Sequence, residues 1–140
     1  MISRIYPWLY LGNCASGSSH DTLRHLSINT IVNVHEEHKN SIVTDINGFQ
    51  IPLIEAPGNK WRTVVQILDL LHNIRTRGSV LVHCCGAVSR SPFVVLCYMV
   101  VKEKMTIDQA SRKLSHLHPT TNINPHLIEL LQKNEASTRP

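Results

Sequence analysis

With 140 residues, 42% of them hydrophobic, the chain is long enough to bury one core without disulfide staples and reads as a single domain. Its 14 Lys plus Arg against 10 Asp plus Glu leave a net charge of +4, and nine His add to it below neutrality, so anionic partners are favoured. The cations are scattered, and two Trp, three Tyr and two Phe are few for base stacking, which argues against a nucleic-acid-binding surface. The longest apolar run, Phe93 to Val101, is too short to cross a bilayer and reads as a buried core helix, so no membrane contact is expected.

Four cysteines, Cys14, Cys84, Cys85 and Cys97, show no disulfide spacing, and two are adjacent, a poor geometry for an ordinary bridge. They point to a reducing, intracellular compartment. No basic-apolar-small pattern precedes the first structured residues, so no secretory signal is expected, and a cytoplasmic or also nuclear location follows.

In chain order, Ile5 to Leu11 reads as extended, with Pro7 favouring a sheet edge, and Gly12-Asn13 marks a turn. A short helix over Asp21 to Leu26 and a buried strand over Thr30 to Val34 follow. A strand from Phe49 to Ile54 ends in the turn Ala56-Pro57-Gly58-Asn59. Trp61, Val64, Val65, Leu68 and Leu71 then recur at helical spacing up to Arg75-Thr76-Arg77-Gly78, where cations and a glycine stop the helix. Lys60 and Arg62 beside Trp61 are read as solvated cations, and Trp61 as the start of the helix's core face.

Ser79 to His83 is the next apolar strand, and Cys84 to Ser89 connects it to the helix of Phe93 to Val101. The capping-box pattern Thr106-Ile107-Asp108-Gln109 opens a helix ending before Pro119, and Asn124-Pro125 opens a last one through about Lys133. Residues 134–140 are expected to fray, leaving 1–133 as the domain. Strands separated by helices imply an α/β fold with a mainly parallel central sheet flanked by helices, and ligands at the carboxyl ends of the strands. No repeat or interdomain linker is visible.

Cys84 falls at such an end. A sulfur placed where a strand stops and a helix starts faces backbone N–H donors and the positive end of a helix dipole, both of which favour negative charge there. Arg90 follows after five intervening residues, enough for the loop to curl round a phosphoryl group while the guanidinium returns to two of its oxygens. The bland alternative, two small core cysteines and a solvated arginine, must also account for His83, Ser91 and Pro92 in one stretch. Cysteine attack on a phosphate monoester gives a thiophosphate, and the leaving alkoxide or phenolate then needs a proton from an acid on a separate loop.

His83-Cys84, Arg90 and Ser91 resemble the signature of the cysteine-dependent protein tyrosine phosphatases, and the surroundings resemble the small, atypical dual-specificity type. Ile5-Tyr6-Pro7-Trp8-Leu9-Tyr10-Leu11-Gly12 is similar to that family's opening segment, and Ile31-Val32-Asn33-Val34 to its first buried strand. Ile51-Pro52-Leu53-Ile54 is similar to the strand before its acid loop, and His118-Pro119 through Asn124 to the segment supporting the loop from behind. The likeness extends to about Leu131, so no separate docking domain is expected within these residues.

The resemblance implies Cys84 as nucleophile, Arg90 as oxyanion clamp, and the N–H groups of Cys85, Gly86, Ala87, Val88, Ser89 and Arg90 as the phosphate cradle. It further implies that Ser91 donates to the departing thiolate, that His83 orders the loop through the backbone, and that Asn124 braces it. Two positions depart from the family. Glu55 stands where its acid is normally aspartate, with the same proton chemistry and one more methylene. Ala87 stands where glycine is usual, with Gly86 one place earlier; a left-handed backbone at alanine would cost roughly 1–2 kcal/mol.

The implied activity is hydrolysis of phosphotyrosine and phosphoserine or phosphothreonine in proteins through a cysteinyl-phosphate intermediate, with phosphorylated proteins as partners. The alternatives are a catalytically weak phosphate-binding module, or a phosphatase of RNA 5′ ends or phosphoinositides. No lysine or further arginine between Cys84 and Arg90 supports a polyphosphorylated ligand. Cys85 is read as a packing residue. His35 and His38, and His116 and His118, lack carboxylates or cysteines at ligand spacing and are read as surface histidines, so no metal or cofactor is expected.

Overall fold

The structure is a computed structural model and describes residues 2–36 and 46–135; His38, Asp45 and residues 136–140 of the expected tail lie outside the described residues. Five strands, β1 (Ile2–Tyr6), β2 (Leu9–Gly12), β3 (Ile28–His35), β4 (Asn47–Leu53) and β5 (Ser79–His83), form one sheet in the order β1-β2-β5-β3-β4. β2, β5, β3 and β4 pair in parallel, and β1 is antiparallel to β2. The expected mainly parallel sheet is present.

The expected single extended segment from Ile5 to Leu11 is instead two strands. Pro7 has no N–H for a ladder and a fixed φ suited to a turn, so the chain reverses at Pro7-Trp8 and pairs Tyr6 with Leu9. β1 thereby becomes the edge, and Leu9–Gly12 is buried throughout. Asn13, expected in a turn, accepts the Ser16 N–H at 3.0 Å and caps a short helix not foreseen, α1 (Cys14–Ser18). Ser19 caps α2 (His20–His25) in the same way.

Side-chain alternation along the strands divides the interior in two. Leu9, Leu11, Val32, Val34, Val80 and Val82 face the larger core, while Tyr10, Ile31 and Leu81 face a smaller one with Leu23 and Ile28. Four helices cover the first face: α3 (Trp61–Ile74), α4 (Arg90–Val101), α5 (Ile107–Leu117) and α6 (Pro125–Glu135). α3 buries Val64, Ile67, Leu68 and Leu71, the stripe its spacing predicts, and Trp61 packs against the same core. The Thr106/Gln109 capping box forms at the start of α5. α6 opens on Pro125 and includes Asn134 and Glu135, two residues expected to fray.

α4 is buried at every position from Ser91 to Val100 because α3, α5 and α6 pack around it on the sheet. Its apolar run is the signature of a helix with no solvent face. The connection that feeds it, residues 84–89, carries a left-handed residue: Ala87 has φ of 58° and is 1% exposed. Alanine there is strained by its Cβ, as the missing glycine led one to expect.

Truncating Phe93, which is fully buried, should lower stability by about 3–5 kcal/mol in Phe93→Ala. In urea unfolding this appears as a lower midpoint at unchanged slope. Ala87→Gly should raise stability by up to about 1 kcal/mol and the midpoint with it, relief of left-handed strain being partly offset by the entropy glycine gains on unfolding. A loss of stability on that change would mean that the Ala87 methyl is worth more as packing than its backbone strain costs.

Candidate active site

Four parallel strands deliver their carboxyl ends to one rim of the sheet. Cys14 follows β2, Glu36 follows β3, Glu55 follows β4, and Cys84 follows β5. The start of α4 lies against the same rim. A cleft of about 240 Å³ opens there, lined by Glu55, Cys84, Gly86, Val88, Ser89, Arg90 and Asn122. Five residues singled out from the loop and one from the acid turn therefore share one cavity, with Asn122 as an addition.

The Cys84 side chain is 3% exposed. Its Sγ lies 3.1 Å from the Ser91 hydroxyl and accepts the Ser91 N–H at 3.4 Å. Ser91 is fully buried at the amino end of α4, so a helix-start donor and a hydroxyl converge on one sulfur. Negative charge on that sulfur is stabilised by both.

Arg90 is nearly enclosed and spans the cleft wall. Its Nη1 donates to the Leu53 carbonyl at 3.3 Å and lies 3.7 Å from Glu36 Oε1, while Nε is 3.8 Å from Glu55 Oε1. Two carboxylates thus face the guanidinium from the ends of β3 and β4. Sequence spacing offered no signal for Glu36, which meets Arg90 only because β3 and β4 lie side by side.

Behind the cleft the loop is tied down residue by residue. His118 lies between Ser3 and Ala87, with Nδ1 2.6 Å from the Ser3 hydroxyl and Nε2 2.6 Å from the Ala87 carbonyl. A carbonyl only accepts, so Nε2 carries a proton and donates to it, while Nδ1 is paired with the Ser3 hydroxyl. The Asn122 N–H donates to the Val88 carbonyl at 2.9 Å, and the Asn124 N–H to the Ser89 hydroxyl at 2.9 Å. Asn124 also donates through Nδ2 to the Glu55 carbonyl at 3.3 Å and accepts the His126 N–H at 2.9 Å. It therefore caps α6 and joins the Glu55 turn to the loop.

His118 and His35 correct the reading of surface histidines, since both are buried. Among the described residues no group of three or more His, Cys, Asp and Glu is placed to hold a metal ion. His83 is 2% exposed and packs on Gly17, where an added Cβ would lie 2.7 Å from its Nε2. Val88 is exposed at the mouth.

Cys85 is exposed and lies beside Cys14, a neighbour that no sequence spacing predicts. The Cys14 N–H donates to the Cys85 carbonyl and its thiol to the Cys84 carbonyl, both at 3.4 Å. Burial, then the hydrogen bond with Cys85 and the neighbouring sulfurs, pushes the Cys14 thiol up to about 11. No helix among the described residues is long and apolar enough to cross a membrane.

This geometry has counterparts in known proteins. The family profile "Dual specificity phosphatase, catalytic domain" matches residues 9–136. Rat dual specificity protein phosphatase 18 is 30% identical over 132 residues, 93% of this chain and 65% of the relative. Its mouse counterpart is 26% identical over 132 residues, 93% of this chain and 70% of the relative. The chain thus spans about two thirds of the length of these relatives. The crystal structure of DUSP15 superposes with a TM-score of 0.90 at 25% identity, covering 99% of this chain and 90% of that one. A profile match over nearly the whole chain, together with the sheet and the cysteine at its carboxyl rim, places this chain in the family of dual-specificity phosphatase catalytic domains, cysteine-dependent phosphoric monoester hydrolases.

Proposed function

We propose that residues 1–133 form a metal-independent catalytic domain that hydrolyses phosphotyrosine and phosphoserine or phosphothreonine in proteins through a cysteinyl-phosphate intermediate. The observation that carries this reading is the Cys84 sulfur held by Ser91 N–H and Oγ at the start of α4, facing a cleft it shares with Arg90 and Glu55.

In the first step the Cys84 sulfur attacks phosphorus in line with the leaving oxygen. Arg90 turns from its carboxylate partners to two phosphoryl oxygens, and the backbone N–H groups of residues 85–90 take the rest of the developing charge. Glu55, 3.8 Å from the same guanidinium, gives a proton to the leaving alkoxide or phenolate. In the second step water attacks the phosphocysteine as Glu55 takes the proton back, and the Ser91 hydroxyl donates to the departing sulfur. Arg90 needs little searching to do this, being nearly enclosed beforehand.

His83 and His118 act as positioning residues that hold the loop path, and Asn124 keeps the Glu55 turn at its distance from Ser89. Exposed Val88 and Asn122 are the walls a phosphorylated side chain would meet. Phosphorylated proteins are the proposed partners and the cell interior the proposed location.

Metal-free hydrolysis of a small aryl phosphate tests the reading. Cys84→Ser should lower turnover by a factor on the order of 10³ or more. Glu55→Gln should leave a good aryl leaving group nearly untouched but slow an alkyl phosphate on the order of 10²-fold. Ala87→Gly should match or exceed the unmodified protein. No turnover by the fully reduced, unmodified chain would leave phosphate binding without catalysis as the function.

A further inference from the structure

We propose that Cys14 and Cys85 are a redox-active dithiol pair, which a low-molecular-weight disulfide converts into a Cys14–Cys85 bond across the base of the loop. The two residues come from opposite halves of the chain yet touch through backbone and side chain. The Cys14 N–H donates to the Cys85 carbonyl at 3.4 Å, and the Cys85 side chain is close enough to contribute to the upward push on the Cys14 thiol. The parallel register of β2 and β5 ends with Gly12 opposite His83, so Cys14 and Cys85, each two residues further on, leave neighbouring strands that lie about 4.7–4.9 Å apart, a separation compatible with the Cα window of about 4.4–6.8 Å that a disulfide spans.

The competing pairings fit less well. Cys84 and Cys85 are adjacent, and their bridge would strain the intervening peptide. The Cys14 sulfur does approach residue 84, but at its carbonyl oxygen, 3.4 Å away, while the Cys84 sulfur is engaged by the Ser91 hydroxyl at 3.1 Å. Cys97 is fully enclosed within α4. Cys85 is exposed and Cys14 partly so, which lets a small oxidant reach the pair.

The exchange runs in two steps. The Cys85 thiolate attacks one sulfur of the small disulfide and expels one thiolate, leaving a mixed disulfide. Cys14 then gives up its proton to solvent, its sulfur attacks that of Cys85, and the second small thiolate departs. Two protein thiols are oxidised and one disulfide is reduced to two thiols. Cys85 is the more exposed of the two and therefore the one a small disulfide meets first.

The test is equilibration of the whole chain in oxidised and reduced glutathione, alkylation of remaining thiols, and mass analysis of a tryptic digest without reduction. The expected product joins the peptide of residues 5–24 to that of residues 78–90, with Cys84 outside the bond by fragment ions. The link should persist in Cys84→Ser and be absent in Cys14→Ser and Cys85→Ser. A link through Cys84, glutathione on Cys85 with no link, or no oxidation of either residue would each overturn the proposal. Fragment ions of the unmodified chain decide the pairing even where a variant fails to fold. The readout is a mass rather than a turnover, so it stands apart from the phosphatase reading.

Discussion

Ser91 directs both its backbone N–H and its hydroxyl at the Cys84 sulfur, and it does so from the first turn of a helix enclosed by the sheet and three other helices. Such a helix has little freedom to shift, because any translation of α4 opens voids against α3, α5 or α6 at once. The position of its amino end is therefore fixed by packing along its length. A strand on one side and a helix start on the other leave the six intervening residues a short path, and part of its cost is the left-handed Ala87.

The parallel arrangement explains why one rim gathers so many functional groups. Strands running the same way release their chains at the same end, so the residues after β2, β3, β4 and β5 become neighbours whatever their separation in sequence. Glu36 and Glu55 reach Arg90 on this account, and Cys14 reaches Cys85. The loop needs matching support from the opposite side, supplied by the stretch from His118 to Asn124 between α5 and α6.

Local patterns made much of this legible in the sequence. The apolar run of α4, the capping box of α5, Asn124-Pro125 before α6 and the short apolar run of β5 are all short-range signals, and each marks the element where it lies. Cys84, Ser91 and Arg90 were readable because they sit within one such junction. The two-residue reversal at Pro7-Trp8 was missed because a proline at a strand edge and a proline in a hairpin turn look alike until pairing partners are known. Contacts of Ser3 with His118, Cys14 with Cys85 and Glu36 with Arg90 join distant elements, and no periodicity encodes them. His118 illustrates the point: its chemistry suits a surface as well as a core, and only the fold puts a hydroxyl on one nitrogen and a carbonyl on the other.

Arg90 meets Glu36 and Glu55 before any ligand arrives. An anion that engages the guanidinium therefore competes with both carboxylates for it. Chloride or a lone carboxylate brings one charge and gains little over the groups already present, whereas a phosphate dianion brings two charges and a third oxygen for the backbone donors. The flanking glutamates thus compete with any anion for the guanidinium, and a doubly charged anion with several oxygens competes against them better than a singly charged one.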